Sequence, residues 1–273
     1  MGIIWLASYP RSGNTWLRAI LANLLAEKTP APLADLNRLA PHEADPRWYR
    51  QFEGDADAEP GPTRANVQRR LEVQSQLSSS FTEHDAYLKT HNALMQVSGL
   101  PLVRDDLTVS AIYLARDPRD VAVSLSHTLG ISIDHAIEFL GKNNNWIGGT
   151  APLGQGPMFE MLGNWSDHVK SWAKTGSAIL RYEDLFERED AYELLNAAFY
   201  TKATGAKLRE VRALCAFDKL QALEQAERAG SNEKAPLVFR EGKPGAWRDQ
   251  LSVGQAKRIE LNHADVMRRL NYL

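Results

Sequence analysis

Ile3-Ile4-Trp5-Leu6-Ala7-Ser8-Tyr9-Pro10-Arg11-Ser12-Gly13-Asn14-Thr15-Trp16 is the stretch whose reading decides the fold. Residues 3–8 form a short apolar run, the length of a buried strand. Residues 9–14 are polar and tight, with Pro10 and Gly13 as turn formers. From Thr15 to Leu25 apolar residues return at helical spacing. Strand, loop and helix in this order can cradle phosphate, because loop N–H groups and the positive end of a helix meet an anion together. Set against the nucleotide-binding loop G-x-x-x-x-G-K-[ST], the spacing is kept, but Ser8 replaces the first Gly and Asn14 the Lys before Thr15. A cation stands inside the loop instead, at Arg11. Such a loop holds phosphate without the lysine that reaches the β- and γ-phosphates of ATP, which points to an anhydride other than an ordinary triphosphate. Taken alone, the stretch reads equally well as a strand and helix joined by an incidental glycine turn.

Outward from this unit, strands are expected at residues 86–90, 110–115 and 179–182, each ending in polar residues: His91-Asn92, Arg116-Asp117 and Glu183-Asp184. Helices are expected at 64–80, 119–128, 133–140, 159–174, 191–204, 208–216 and 252–270. Pro118 suits the first turn of the second of these. Strands alternating with helices give the fold class α/β: a P-loop-like three-layer α/β/α arrangement with a central parallel sheet. Ligands then gather at the carboxyl ends of the strands. Residues 35–62 read as polar and irregular, with Trp48, Tyr49 and Phe52 embedded; their aromatics either pack locally or form a lid. Residues 141–156 read as a flexible Gly- and Asn-rich segment, and 234–247 as a basic loop. No internal repeat or composition shift marks a second domain, so one domain over 1–273 is expected.

The chain has 273 residues and a formal charge of −2. That balance argues against a nucleic-acid partner, though not against a local basic pocket. A single cysteine, Cys215, excludes an internal disulfide framework and suits a reducing compartment. No run has the length of a membrane span, and no cleavable leader is legible. The expected location is cytoplasmic, with no membrane partner. The oligomeric state stays open, a homodimer included.

Two further stretches look like parts of the same anion site. Tyr113-Leu114-Ala115-Arg116-Asp117-Pro118-Arg119-Asp120-Val121-Ala122-Val123-Ser124 puts Arg116 at a strand end and Ser124 two helical turns on. Phe239-Arg240-Glu241-Gly242-Lys243-Pro244-Gly245-Ala246-Trp247 offers glycines that let backbone approach a ligand and a guanidinium that can grip phosphate as a fork. Singly, each has a bland reading as a surface charge. In order, and joined by Lys89-Thr90-His91 and Tyr182-Glu183-Asp184-Leu185, they match a family. The chain resembles the sulfotransferases that use 3′-phosphoadenosine 5′-phosphosulfate. Their loop T-Y-P-K-S-G-T-T-W corresponds to Ser8–Trp16, their Y-x-x-R-[ND]-x-[KR]-D-V-x-x-S segment to Tyr113–Ser124, and their R-K-G-x-x-G-D-W loop to Arg240–Trp247.

The resemblance implies a sulfotransferase that moves the sulfuryl group in line to a hydroxyl or amine of a small-molecule acceptor. It implies that Arg11, Ser12, Gly13, Asn14 and Thr15 hold the 5′-phosphosulfate. Trp16, Tyr182 and Phe217 would surround the adenine. Arg116, Ser124, Arg240 and Gly242 would hold the 3′-phosphate, beside Glu241. His91 would be the general base and Lys89 would neutralise the transferring group together with Arg11. An imidazole that titrates at about 6.5 suits that work at neutral pH. No metal is expected, because cations at Arg11 and Lys89 can take the place of Mg²⁺. Segments near 35–80 and 130–163 would cap the acceptor site. Two positions depart from the family pattern: Arg11 replaces the loop lysine, and Glu241 replaces the lysine after Arg240, where Lys243 could compensate. His84 and His127 remain rivals to His91. The other function classes are a P-loop-type small-molecule kinase, against which the missing lysine counts, and a nucleotide-binding module without catalysis.

Overall fold

The computed structural model describes residues 2–55, 59–81, 84–229 and 237–273. Strands β1 (Ile3–Ser8), β2 (Ala86–Thr90), β3 (Thr108–Ala115) and β4 (Ala178–Arg181) form one sheet in the order β2-β1-β3-β4. Every pair in it is parallel. Ala7 lies opposite Thr90 and Tyr113, so the C-terminal ends of β1, β2 and β3 come level. The residues that follow them, 9–14, 91–92 and 116–117, therefore emerge at one edge.

Side chains alternate across a strand, and the core divides accordingly. Ile3, Trp5 and Ala7 of β1 join Ala111, Tyr113 and Ala115 of β3 in one apolar cluster. Ile4 and Leu6 join Ile112 and Leu114 in another. Among the described residues, nine longer helices cover these faces: α1 (Asn14–Leu25), α2 (Arg64–Ser80), α3 (Pro118–Leu129), α4 (Ile133–Gly141), α5 (Trp165–Ala173), α6 (Asp190–Ala198), α7 (Gly205–Leu214), α8 (Phe217–Arg228) and α9 (Val253–Arg269). The helix α1 buries Trp16, Leu17, Ile20, Leu21 and Leu24 in the second cluster; Leu77 of α2, Val121 of α3 and Val169 of α5 pack in the first. This is the expected three-layer arrangement.

Polar caps set several starts, each satisfying a backbone donor that has no helical partner. Thr63 accepts from Asn66 at the head of α2, and Asp117 from Arg119 at the head of α3 with Pro118 in its first turn. Ser252 and Gln255 make a reciprocal capping box at α9.

Four expectations are corrected. A helix over 159–174 gives way to α5 alone. Glu160–Met161 is extended and pairs antiparallel with Trp146–Ile147, and Asn164 caps α5 by accepting from Asp167. The helix expected to reach 204 stops at Ala198, because Tyr200 and Lys202 take positive φ. The helix α8 adds to those expected. The stretch 141–156 is packed rather than loose: Asn145 and Leu153 are buried, and a Cβ at Gly149 would stand 2.6 Å from that of Phe159.

Candidate active site

The sheet edge opens into a cleft lined from four directions: the loop after β1, the ends of β2 and β3, α3, and the segment 238–246. Gly13 ends the loop with φ +98°, and a Cβ there would come within 2.5 Å of the Tyr182 ring. Only glycine gives this backbone both the angle and the approach. Arg11 also has positive φ, 68°, a strained state for a non-glycine residue that structures keep at functional loops. Beyond them Asn14 and Thr15, whose N–H groups begin α1 without an intrahelical partner, line the cleft, an arrangement that favours an anion.

Cations converge here. The Nε of Arg11 donates to the Ser124 hydroxyl at 3.0 Å, tying the loop to α3. Arg116 donates to the Arg11 carbonyl at 3.2 Å and stands 4.3 Å above the Tyr182 ring. Its Nε is buried without a partner. Burial, then the Arg116 and Arg240 charges, push the Arg11 guanidinium below its usual range. Guanidinium groups held together against their repulsion, over a cradle that admits no side chain, fit a polyanionic ligand. Arg240 is half-exposed and pairs with Glu241 at 3.2 Å.

The segment 238–246 is fastened at both ends. The Glu224 carboxylate accepts from the N–H groups of Val238 and Phe239, at 2.9 Å each. Gln221 donates to the carbonyls of Phe239 and Arg240. Asp120 of α3 accepts from Gly245 and Trp247. Gly242 has φ +60°, and a Cβ there would lie 1.9 Å from the Phe217 ring; its carbonyl accepts from the Tyr182 hydroxyl at 2.7 Å. Trp16, with its indole N–H donated to the Cys215 carbonyl, packs edge-on to Tyr182 and Phe217 at 5.1 and 6.1 Å. An aromatic slot stands beside the cationic one.

His91 and Lys89 line the other end of the cleft. The Nδ1 of His91 lies 2.7 Å from the Ser8 carbonyl. A carbonyl only accepts, so Nδ1 carries the proton and Nε2 keeps its lone pair. Burial first, then Lys89, hold the His91 imidazole well below its usual range, so it is neutral at pH 7. Burial pulls the Lys89 ammonium down to about 8. The His91 N–H donates to Glu160 at 2.5 Å, and His168 reaches the His91 carbonyl at 2.9 Å.

The cleft brings together Arg11, Gly13, Asn14, Thr15, Trp16, Lys89, His91, Arg116, Ser124, Tyr182, Phe217, Arg240, Glu241 and Gly242. Ser12 does not line it: the residue is fully buried, its hydroxyl without a partner. The Asn14 side chain turns inward to the Leu6 carbonyl and the Ser8 hydroxyl, leaving its backbone for the cleft. The rivals to His91 fall outside. His84 precedes β2 at the opposite edge of the sheet, exposed, and His127 pairs with Gln250 near the end of α3. Sequence reasoning missed His42, whose ring meets that of His91 edge-on at 5.7 Å. It also missed Asp120, visible only as one carboxylate in a charged run. Lys243, read as a substitute cation, does line the cleft. Among the described residues no group of three or more His, Cys, Asp or Glu is placed to hold a metal ion, and no helix is long and apolar enough to cross a membrane.

A family model described as a sulfotransferase domain matches residues 2–270. A flavonol 3-sulfotransferase of Flaveria bidentis is 26% identical over 275 residues, covering 94% of this chain and 79% of that protein. Cytosolic sulfotransferase 15 of Arabidopsis thaliana is also 26% identical, covering 93% and 68%. Among solved structures, retinol dehydratase with androsterone and the inactive cofactor PAP superposes with a TM-score of 0.62 at 20% identity, covering 97% of this chain and 80% of that one. A mouse sulfotransferase complexed with PAP gives 0.60 at 18%, covering 98% and 85%.

Proposed function

The chain belongs to the sulfotransferase-domain family, and from that premise we propose that it transfers the sulfuryl group of 3′-phosphoadenosine 5′-phosphosulfate to a hydroxyl or amine of a small molecule, with His91 as general base. The observation that carries this is the fixed tautomer of His91, whose lone pair at Nε2 faces a cleft in which Arg11, Arg116, Arg240 and Lys89 converge. The donor supplies an activated sulfuryl group, whose bond to the bridging oxygen breaks as the acceptor oxygen or nitrogen bonds to sulfur. Nε2 of His91 takes the acceptor's proton. Lys89 and Arg11 offset the charge around the transferring group by position, much as cations do in phosphoryl transfer. The backbone of residues 13–15 holds the 5′ end, Trp16, Tyr182 and Phe217 the adenine, and Arg116, Ser124, Arg240 and Gly242 the 3′-phosphate. Residues near 35–80, of which 56–58 lie outside the described residues, and 130–163 cap the acceptor site within one domain. The cytosolic relatives support a cytoplasmic reaction.

Labelled donor with a panel of small alcohols, phenols and amines tests the reading. His91→Ala should bind PAP as wild type does and lose ~10²–10⁴-fold in turnover, the usual contribution of a general base. Wild-type turnover by the variant removes His91 from the role. Turnover with ATP in place of the donor would make the protein a kinase instead.

A further inference from the structure

The reaction leaves His91 as an imidazolium in a place that disfavours one. Its ring is buried, Lys89 stands on the same face two residues earlier, and the His42 ring approaches to 5.7 Å. The groups around it are Ser8 from β1, Lys89 from β2, His42 from the segment before α2, His168 from α5 and Glu160. Ser8 is neutral. Burial pushes the His168 imidazole down to about 4, so it too stays uncharged at neutral pH. Among these neighbours Glu160 is the one anion.

Its placement is specific. Oε1 of Glu160 accepts the His91 N–H at 2.5 Å and lies 3.0 Å from Nε2 of His42. The side chain is almost wholly enclosed, at 3% exposure. Burial alone would push its carboxyl up, but the His42 ring beside it and the Lys89 ammonium hold it below the usual carboxylate range. A charge enclosed with its partners acts through a low dielectric, where electrostatic interactions are strongest.

Resting on the reading of His91 as base, we propose that Glu160 is a positioning residue for the transfer: its fixed carboxylate stabilises the imidazolium that forms on His91 and, by gripping the His91 backbone and the His42 ring, sets where the base stands. In the balanced step the acceptor oxygen or nitrogen bonds to sulfur as its proton moves to Nε2 of His91. The bond from sulfur to the bridging oxygen breaks with its electron pair going to the 5′-phosphate, and Glu160 neither gains nor loses a proton. A neutral side chain at 160 would leave a weaker base.

Glu160→Gln keeps an oxygen for the His91 N–H and removes the charge. The rate is read as label transferred to 2-naphthol, and as inorganic sulfate released with water as acceptor, so that it exists whatever the natural acceptor is. The expected result is a fall of about tenfold in rate, with PAP affinity by calorimetry unchanged within about twofold. In a His91→Ala background the same substitution should change the residual rate by less than about twofold, because residues acting through one another are non-additive. Equal losses in both backgrounds would mean a structural role and overturn the proposal, as would an unchanged rate in Glu160→Gln while His91→Ala is inactive. A fully active His91→Ala overturns the base reading itself and this proposal with it. If melting curves show that Glu160→Gln does not fold, Glu160→Asp, which keeps the charge one methylene further back, must give a smaller loss that likewise vanishes without His91.

Discussion

Around the loop after β1, Arg11 hydrogen-bonds a neutral hydroxyl and Arg116 a carbonyl. Around the segment 42–45, by contrast, Arg70 and Glu43, both fully buried, pair with each other. Arg70 also donates to the Phe159 carbonyl, and Glu43 accepts from Thr90 and Asn92. The first region keeps its charge for a ligand; the second consumes its charge internally. Under the proposed function, the anionic groups of the donor complete the first. The second is a scaffold that holds the irregular wall of 42–49 against β2 and α2 whether or not anything is bound.

The sharpest break of this contrast is Arg70→Ala. Removing one partner of a buried pair leaves an uncompensated charge and costs ~3–5 kcal/mol. Denaturant unfolding should register that loss, and saturating PAP should not restore it selectively. A variant as stable as wild type would show that the scaffold does not depend on the pair. Next in size is Arg116→Ala, which should leave the unfolding midpoint nearly unchanged. It should weaken binding of a 3′,5′-bisphosphate nucleotide by roughly one to two orders of magnitude, at ~1.4 kcal/mol per tenfold. Adenosine 5′-phosphate, lacking the 3′ group, should lose little in calorimetry. Equal losses for both ligands would make Arg116 a structural residue like Arg70.

The smallest effect concerns pH. Lys89 titrates at about 8 in the free protein, below its ordinary value, so its cation is present at pH 7 and lost as pH rises through that value. His91 is held well below 6.5 and is neutral throughout this range. Turnover should be level from pH 6.5 to 7.5 and fall severalfold by about pH 9 as Lys89 deprotonates. Lys89→Arg, always charged, should flatten the fall. A rate that climbs to pH 9 would mean that a proton still has to leave the base.

The same contrast decides what the sequence could tell. The donor side is built from short contiguous runs whose spacing is itself the mechanism. A strand, a glycine turn and a helix place Gly13 and Thr15 together, and Arg116 falls at a strand end because Tyr113 to Ala115 reads as strand. The wall around His42 and Glu160 is legible only as punctuation. Glu160 looks like one polar position in an expected helix, since nothing local shows that Asn164 begins α5 or that Glu160 pairs across to Ile147. His42 sits in a stretch without periodicity, and its meeting with His91 depends on a tertiary bridge between the backbones of 42 and 89. Trp48 and Tyr49 follow the same logic: Tyr49 is buried with its hydroxyl donated to the Glu43 carbonyl, so it packs the wall instead of forming a lid.

One fastening has a consequence in time. Glu224 and Gln221 hold residues 238–240 to α8, and the first residue of that helix, Phe217, is the ring against which Gly242 rests. The walls proposed for the adenine and for the 3′-phosphate thus belong to one mechanical body. A nucleotide bound as proposed should not leave from its phosphate end while its base stays clamped, or the reverse. Departure should be a single concerted relaxation in stopped-flow displacement of PAP, with the grip of one carboxylate on two N–H groups helping to set how long the spent nucleotide stays; two resolved phases would mean that the walls part separately.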